Sequence, residues 1–503
     1  MTSNGGQLVD ESPATRAIDQ ADAVFVSPSL GVDFPTCGSL VDGPCKTMRA
    51  AIDAAKASGA AAVVATPGEY AGPGNVDLDP ALEAGTRLTI TSTNGPSHTM
   101  INCTSTDGSP HRAFLFRSGE DERTELSGFT LLGGRADRGG CVFIEDSSPT
   151  ISNMAMIMCN ALTGIARGGA MYITGAAANP TVAASMFFYN QADKGATIEV
   201  MESQVQLYNS KLELGVCPTG TGEGGGIHAL RSNVTVVDSM FVNGIAGFAG
   251  AGVLLHDSKA YMERIEVRNN TVTNTGAGIN LFGSSLTLVD SLVTENNSAL
   301  FGGGLLFTSS NATIYRTAVT NNYAGFGGGG IKLLGGYLNL TDCQVTGNVG
   351  VEYGAAFDVM TQGPLSTQKT VMTVDRCDVS DNMAGDGAGF YLYDIDEVRV
   401  SNTMVRNNSA KAGGAVWSRA RTAATFQNVA FHGNFAAEGG AIFCTEPCAL
   451  DVAASEFARN GASSRGGAIF STEGTEVDIA GSSFVENGAL SCEHAQTPMQ
   501  GGA

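Results

Sequence analysis

Lys332 and the acids Asp358, Asp386, Asp394 and Asp396 fall around the one stretch of this chain where its spacing is broken by a long insertion. A lysine and several carboxyls in one cleft are the raw material of acid–base chemistry, because one carboxyl can be held protonated while another stays ionised. With 49 Asp and Glu in the chain, solvated loop acids are the simpler reading. The six histidines, His98, His111, His228, His256, His432 and His494, show no H-E-x-x-H spacing. Neither an EF-hand loop nor a Walker or dinucleotide glycine pattern occurs, and the many GGA and GGG triplets read as turn glycines. The expectation is a chain with no catalytic residues, no metal site and no cofactor.

Binding is better provided for. Tyr391, Trp417, Phe443 and Phe470 recur at one outward position of successive repeats. Stacked aromatic faces suit sugar rings or a partner's apolar patch, and a covering loop is the alternative.

These residues are positioned by a repeat. The first apolar residue after each glycine cluster runs Val142, Met171, Ile198, Ile227, Val253, Ile279, Leu305, Ile331, Phe357, Phe390, Val416, Ile442, Ile469, and every step from Ile227 to Phe357 is 26 residues. A fixed period of this size predicts a solenoid, since one repeat buries its apolar face only when neighbours stack on it. Within a repeat, alternation after the glycines marks strand one. An apolar triplet ending at residues such as Leu288 and Leu340 marks strand two, and Val293, Val345 and Phe431 mark strand three. Three strands per turn make a parallel β-helix, and the handedness of parallel crossovers makes it right-handed. The expected fold is thus all-β, a right-handed parallel β-helix of about 13 coils over residues 137–503, cut short at its C-terminal end. A small α/β cap with the first irregular coils occupies 21–136, and 1–20 is a disordered N-terminal segment. CKTMRAAIDAAKASG reads as the cap's amphipathic helix, with Met48, Ile52 and Ala55 on one side.

Two side-chain ladders are expected at the corners. Asn243, Asn270, Asn296, Asn322, Asn348, Asn382, Asn408, Asn434, Asn460 and Asn487 follow strand three and should stack amide on amide. Asp238, Arg264, Asp290, Arg316, Asp342 and Arg376 alternate in sign ahead of it, which avoids stacking like charges and pins coil register. Of eleven cysteines, Cys37 with Cys45 and Cys444 with Cys448 flank short loops and are the disulfide candidates, whereas Cys343 and Cys377 read as unbonded thiols in a column of small residues.

A formal net charge of −21 argues against nucleic acid and anionic membranes, and no run of about 18 apolar residues spans a bilayer. The cysteines and seven N-x-S/T sequons (Asn102, Asn233, Asn269, Asn296, Asn311, Asn339, Asn407) lean towards an oxidising, secretory setting.

Gly439-Gly440-Ala441-Ile442 and Gly466-Gly467-Ala468-Ile469, alternating with Phe431-x-x-Asn434, Phe457-x-x-Asn460 and Phe484-x-x-Asn487, resemble the GGA[ILV] and FxxN motifs of polymorphic outer membrane protein repeats. The resemblance covers roughly 137–503, although earlier repeats carry GAG or GGG and Val for Phe. It implies a pectin-lyase-like β-helix and a surface or secreted adhesin, a glycoprotein binding carbohydrate or a host or self surface protein along the solenoid. The competing expectation is a polysaccharide lyase or hydrolase of the same fold.

Overall fold

The computed structural model describes residues 22–39, 43–81, 87–106, 108–161, 166–361, 368–420 and 422–489. Residues 1–20, the C-terminal glycines, His494 and Cys492 lie outside them.

The apolar residues that mark the period pair with one another, coil on coil, in a single parallel ladder from Val142 to Ile469. Their register is unbroken by the insertion before Phe390, because a one-residue slip would turn every core side chain outward. Strand three forms a separate 16-stranded parallel sheet, and strands one and two share a 29-stranded one. The sharing arises where Leu305–Tyr315 and Ile331–Thr341 run straight through the corner. A short fourth ladder of 6 strands follows strand three between Ile245 and Asp386. The ladders extend back through Phe114 and Leu88 to Ala23, so the coils begin well inside the 21–136 segment. Sixteen stacked strands at the usual spacing make a rod about 75 Å long.

Inside, phenylalanines stack as the coils do. Phe357 on Phe390, Phe431 on Phe457 and Phe457 on Phe484 have ring centroids 4.9, 4.7 and 4.7 Å apart. The helix Met48–Ser58 closes the N-terminal end, capped by Thr47 and ended by Gly59 at φ +72°. Its buried face, Met48, Ala51, Ile52 and Ala55, covers core that the first coil would leave open to water.

The amide ladder runs from Asn270 to Asn487. From Asn296 onward each Oδ1 accepts from the backbone N–H and the Nδ2 of the asparagine one coil before, at 2.9 to 3.1 Å. Asn243 is not in it. It sits one position early, partly exposed at φ +60°, and accepts instead from Asn269, while Gly244 occupies the ladder position. Asn190, fully buried, makes the same bonds to Cys159 N and Met156 O three coils earlier.

The charged column resolves into pairs. Arg264 clamps Asp238 at 2.6 and 2.9 Å, Arg316 clamps Asp290 at 2.6 and 2.7 Å, and Arg376 clamps Asp342 at 2.8 and 3.2 Å. All six residues have φ between +45° and +56°, which holds the corner tight. Arg316→Asp would set a third carboxylate between Asp290 and Asp342, whereas Arg316→Asn only removes the pair. The Asp variant should therefore melt lower than the Asn variant, with the gap narrowing in salt. Equal melting temperatures in low salt would refute this.

Disulfides join Cys37 to Cys45, Cys444 to Cys448 and, unforeseen in the sequence, Cys141 to Cys159. Cys343 and Cys377 are free and buried, each taking the place of a serine or threonine in a hydroxyl ladder. Cys343 N–H donates to Cys377 Sγ at 3.3 Å, and Cys377 N–H to Thr403 Oγ1 at 3.2 Å.

Candidate functional site

The outward face of strand one is not a solvent face. Tyr172, Glu199, His228, Leu254, Asn280, Leu306, Lys332 and Asp358 are all buried, at 3% exposure or less. The cover comes from the glycine clusters. Three residues before each marker stands a glycine at positive φ, from Gly139 to Gly466, and it turns the chain back across the outward residue of its own strand. At Gly302 and Gly328 a Cβ would lie 2.7 Å from the Cβ of Leu306 and Lys332, so no larger residue fits. Phe301, Phe326 and Tyr353 then roof the column, ring against ring at 5.2 and 5.5 Å.

Two ionic clusters are buried along this outward column, the second of them under that roof. Glu199 receives Arg167 on Oε1 at 2.5 Å and His228 Nδ1 on Oε2 at 2.7 Å. Farther along, Lys332 Nζ pairs with Asp358 Oδ2, its ammonium 4.5 Å from the Phe301 ring centre. His228 is thus sealed, in contrast to the outward, solvated position its place in the repeat suggests.

The cleft of Lys332 with the insertion acids does not assemble. Asp358 is buried against Lys332, but Asp394 and Asp396 sit beyond the far end of the strand, where Asp396 accepts from Thr370 N at 2.8 Å and Asp394 from Thr361 Oγ1 at 3.4 Å. Asp386 lies on the approach to the strand, half-buried, and burial raises its pKa above the ordinary carboxylate value. The aromatic column is also not the exposed platform expected. Tyr391 and Trp417 stack at 4.4 Å and are each only 7% exposed, because Tyr353 caps Tyr391 at 4.7 Å. Phe443 and Phe470 are half-buried, and Arg465 lies over Phe470. The thirteen positive-φ glycines were the signal for this cover, since one that always falls three residues before a strand folds the chain back over it.

What stands open is a groove of about 1250 Å³ at the corner between strands two and three. Asp238, Arg264, Asp290, Arg316 and Asp342 line it, with Met240, Leu292 and Ala318 supplying apolar surface between them. Hydrogen bonds from the arginines, first among the causes, hold Asp238, Asp290 and Asp342 below the ordinary carboxylate pKa. A depressed value means these acids bind no proton near neutrality, and that what the pairs add to stability is lost only as pH falls into the acid range. Among the described residues no group of three or more His, Cys, Asp or Glu is placed to hold a metal ion, and no helix is long and apolar enough to cross a membrane.

A family model described as the right handed beta helix region matches residues 116–297 and 219–369. A search of curated protein sequences returns no significant match. Among solved structures the chain is similar to PfbA, a surface adhesin of Streptococcus pneumoniae, at 14% identity over 87% of this chain and 86% of that one, with a TM-score of 0.33. It is also similar to a family 28 exopolygalacturonase of Yersinia enterocolitica, at 10% identity over 93% and 79% with a TM-score of 0.28. A periplasmic alginate epimerase follows at 12% identity over 83% and 78%, with a TM-score of 0.31.

Proposed function

Starting from a chain that belongs to the right-handed beta-helix family, we propose that it is a non-catalytic, adhesin-like rod that binds an extended glycan along its open corner groove. The observation that carries this is the lining, which repeats a carboxylate or guanidinium once per coil across five coils, with Met240, Leu292 and Ala318 as apolar surface in alternate and adjoining coils. Coil rise is about 4.8 Å. That is close to the advance of one sugar ring, and it does not match an extended peptide at about 3.3 to 3.6 Å per residue. Carboxylates accept and guanidiniums donate, so both answer the hydroxyls of a sugar, while the apolar floor meets its ring faces.

The same groups are poor catalysts. Acids held ionised by arginine cannot donate a proton in a transition state, and Lys332, Asp358, Glu199 and His228 are shut away from any substrate. Three disulfides favour an oxidising compartment, hence secretion or surface display. Exposed sequons at Asn233, Asn269, Asn311, Asn339 and Asn407 fit a glycoprotein, whereas Asn296 is locked in the amide ladder. The resemblance to polymorphic outer membrane protein repeats supports the same setting. Were the partner a protein, the exposed Ile245, Tyr323, Met383 and Phe435, one column of the fourth ladder, would be its seat.

The alternative, a polysaccharide lyase or hydrolase, is favoured by one observation, the raised pKa of half-buried Asp386, which suits a general acid. Incubation with linear neutral and uronic-acid glycans of graded length, reading binding and polymer length together, separates the two. Affinity should rise with length over the first few sugars, fall at least tenfold in Arg264→Ala/Arg316→Ala, and leave the polymers intact. Polymer shortening that Asp386→Asn abolishes would establish the enzyme instead, and absence of binding across the panel would defeat the groove.

A further inference from the structure

The two buried ionic clusters differ in one respect. Glu199 has both carboxylate oxygens partnered, by Arg167 and His228. Asp358, fully buried, has one: Oδ2 meets Lys332 Nζ, while Oδ1 finds no hydrogen-bond partner among the described residues. Its surroundings offer little else. The ammonium faces the Phe301 ring at 4.5 Å and Met360 Sδ at 3.6 Å, and the next residue in the column is Tyr391, buried and stacked on Trp417. A carboxylate with a bare oxygen in such a place is costly as an ion, and a proton passed from Nζ to Oδ2 leaves a neutral amine against a neutral carboxyl without any outside base. Lys332 and Asp358 are direct partners in adjacent parallel strands, so the backbone on both sides holds them face to face.

We propose that Lys332 and Asp358 condense into a side-chain amide that rivets two successive coils together. The amine nitrogen attacks Cγ, the Nζ–Cγ bond forms and the Cγ–Oδ2 bond breaks. Oδ2 leaves as water with its own proton and one from nitrogen. No electron changes hands, and no co-reactant is consumed. Oδ1 remains as a neutral amide carbonyl, far cheaper to leave unpaired than a carboxylate.

Mass spectrometry of the intact, reduced wild-type chain tests this without any variant. The expected mass is lighter than the sequence by one water, and digestion should give one branched peptide holding both Lys332 and Asp358. Lys332→Met should restore the full mass, and Asp358→Asn should lose ammonia in place of water. A wild-type chain of full mass, or a water lost with the two peptides recovered separately, would overturn the proposal.

Discussion

Asn322→Asp is expected to cost about 3–5 kcal/mol of unfolding free energy at neutral pH, although it changes one NH2 to one oxygen and leaves no cavity. Asn322 is fully buried. Its Nδ2 donates to Val293 O at 3.0 Å and to Asn348 Oδ1 at 3.0 Å, and its Oδ1 accepts from the backbone N–H of Asn296 at 3.0 Å and from Asn296 Nδ2 at 2.9 Å. In the variant, an anionic oxygen faces two acceptors in a place without water. Two hydrogen bonds become repulsions, and the charge lacks a cation. Protonation relieves one of the two contacts, so the deficit should shrink as pH falls. Asn321→Asp supplies the control, because Asn321 is exposed beside the ladder and a surface change of this kind stays within about 0.5 kcal/mol. Urea midpoints of the two variants decide the matter, and comparable losses would mean that the ladder is not the stabilising feature. Because each coil of a solenoid touches only its neighbours, the weakened coils should also open before the rest.

Glu199→Ala carries the other large effect. It strands the Arg167 guanidinium, 15% exposed, and His228, 2% exposed, around an emptied site. Breaking a buried ion pair by removing one partner typically costs about 3–5 kcal/mol. The loss should hardly change with salt, in contrast to the exposed Arg316–Asp290 pair, because ions do not screen what water does not reach. Replacing the cluster together, as Arg167→Met/Glu199→Leu, should recover most of the stability. A single variant within about 1 kcal/mol of wild type, or a strong salt dependence, would show that the cluster is open to solvent.

The markers from Val142 to Ile469, the alternation behind them, the amides from Asn270 to Asn487 and the alternating charges were legible in the sequence because each is local. A period of 26 residues with apolar side chains at fixed offsets has one way to bury them, and stacking at the strand spacing then puts like residue on like. Even there the limit is visible at Asn243, where a shift of one residue in a corner moves an amide from the ladder to the surface. What only tertiary structure decided is which outward residues see water. Alternation says that Glu199, His228, Lys332, Asp358, Tyr391 and Trp417 point away from the core, and they do. Yet chain segments turned back by positive-φ glycines cover them, with Phe301 over Lys332 and Tyr353 over Tyr391, each more than 30 residues away in sequence from the residue it covers. Strand periodicity reports direction relative to one wall, whereas burial depends on where the next loop lies. For that reason the column that looked like a binding face is covered at Tyr391 and Trp417 and half-buried at Phe443 and Phe470, and the corner that looked only structural carries the open groove.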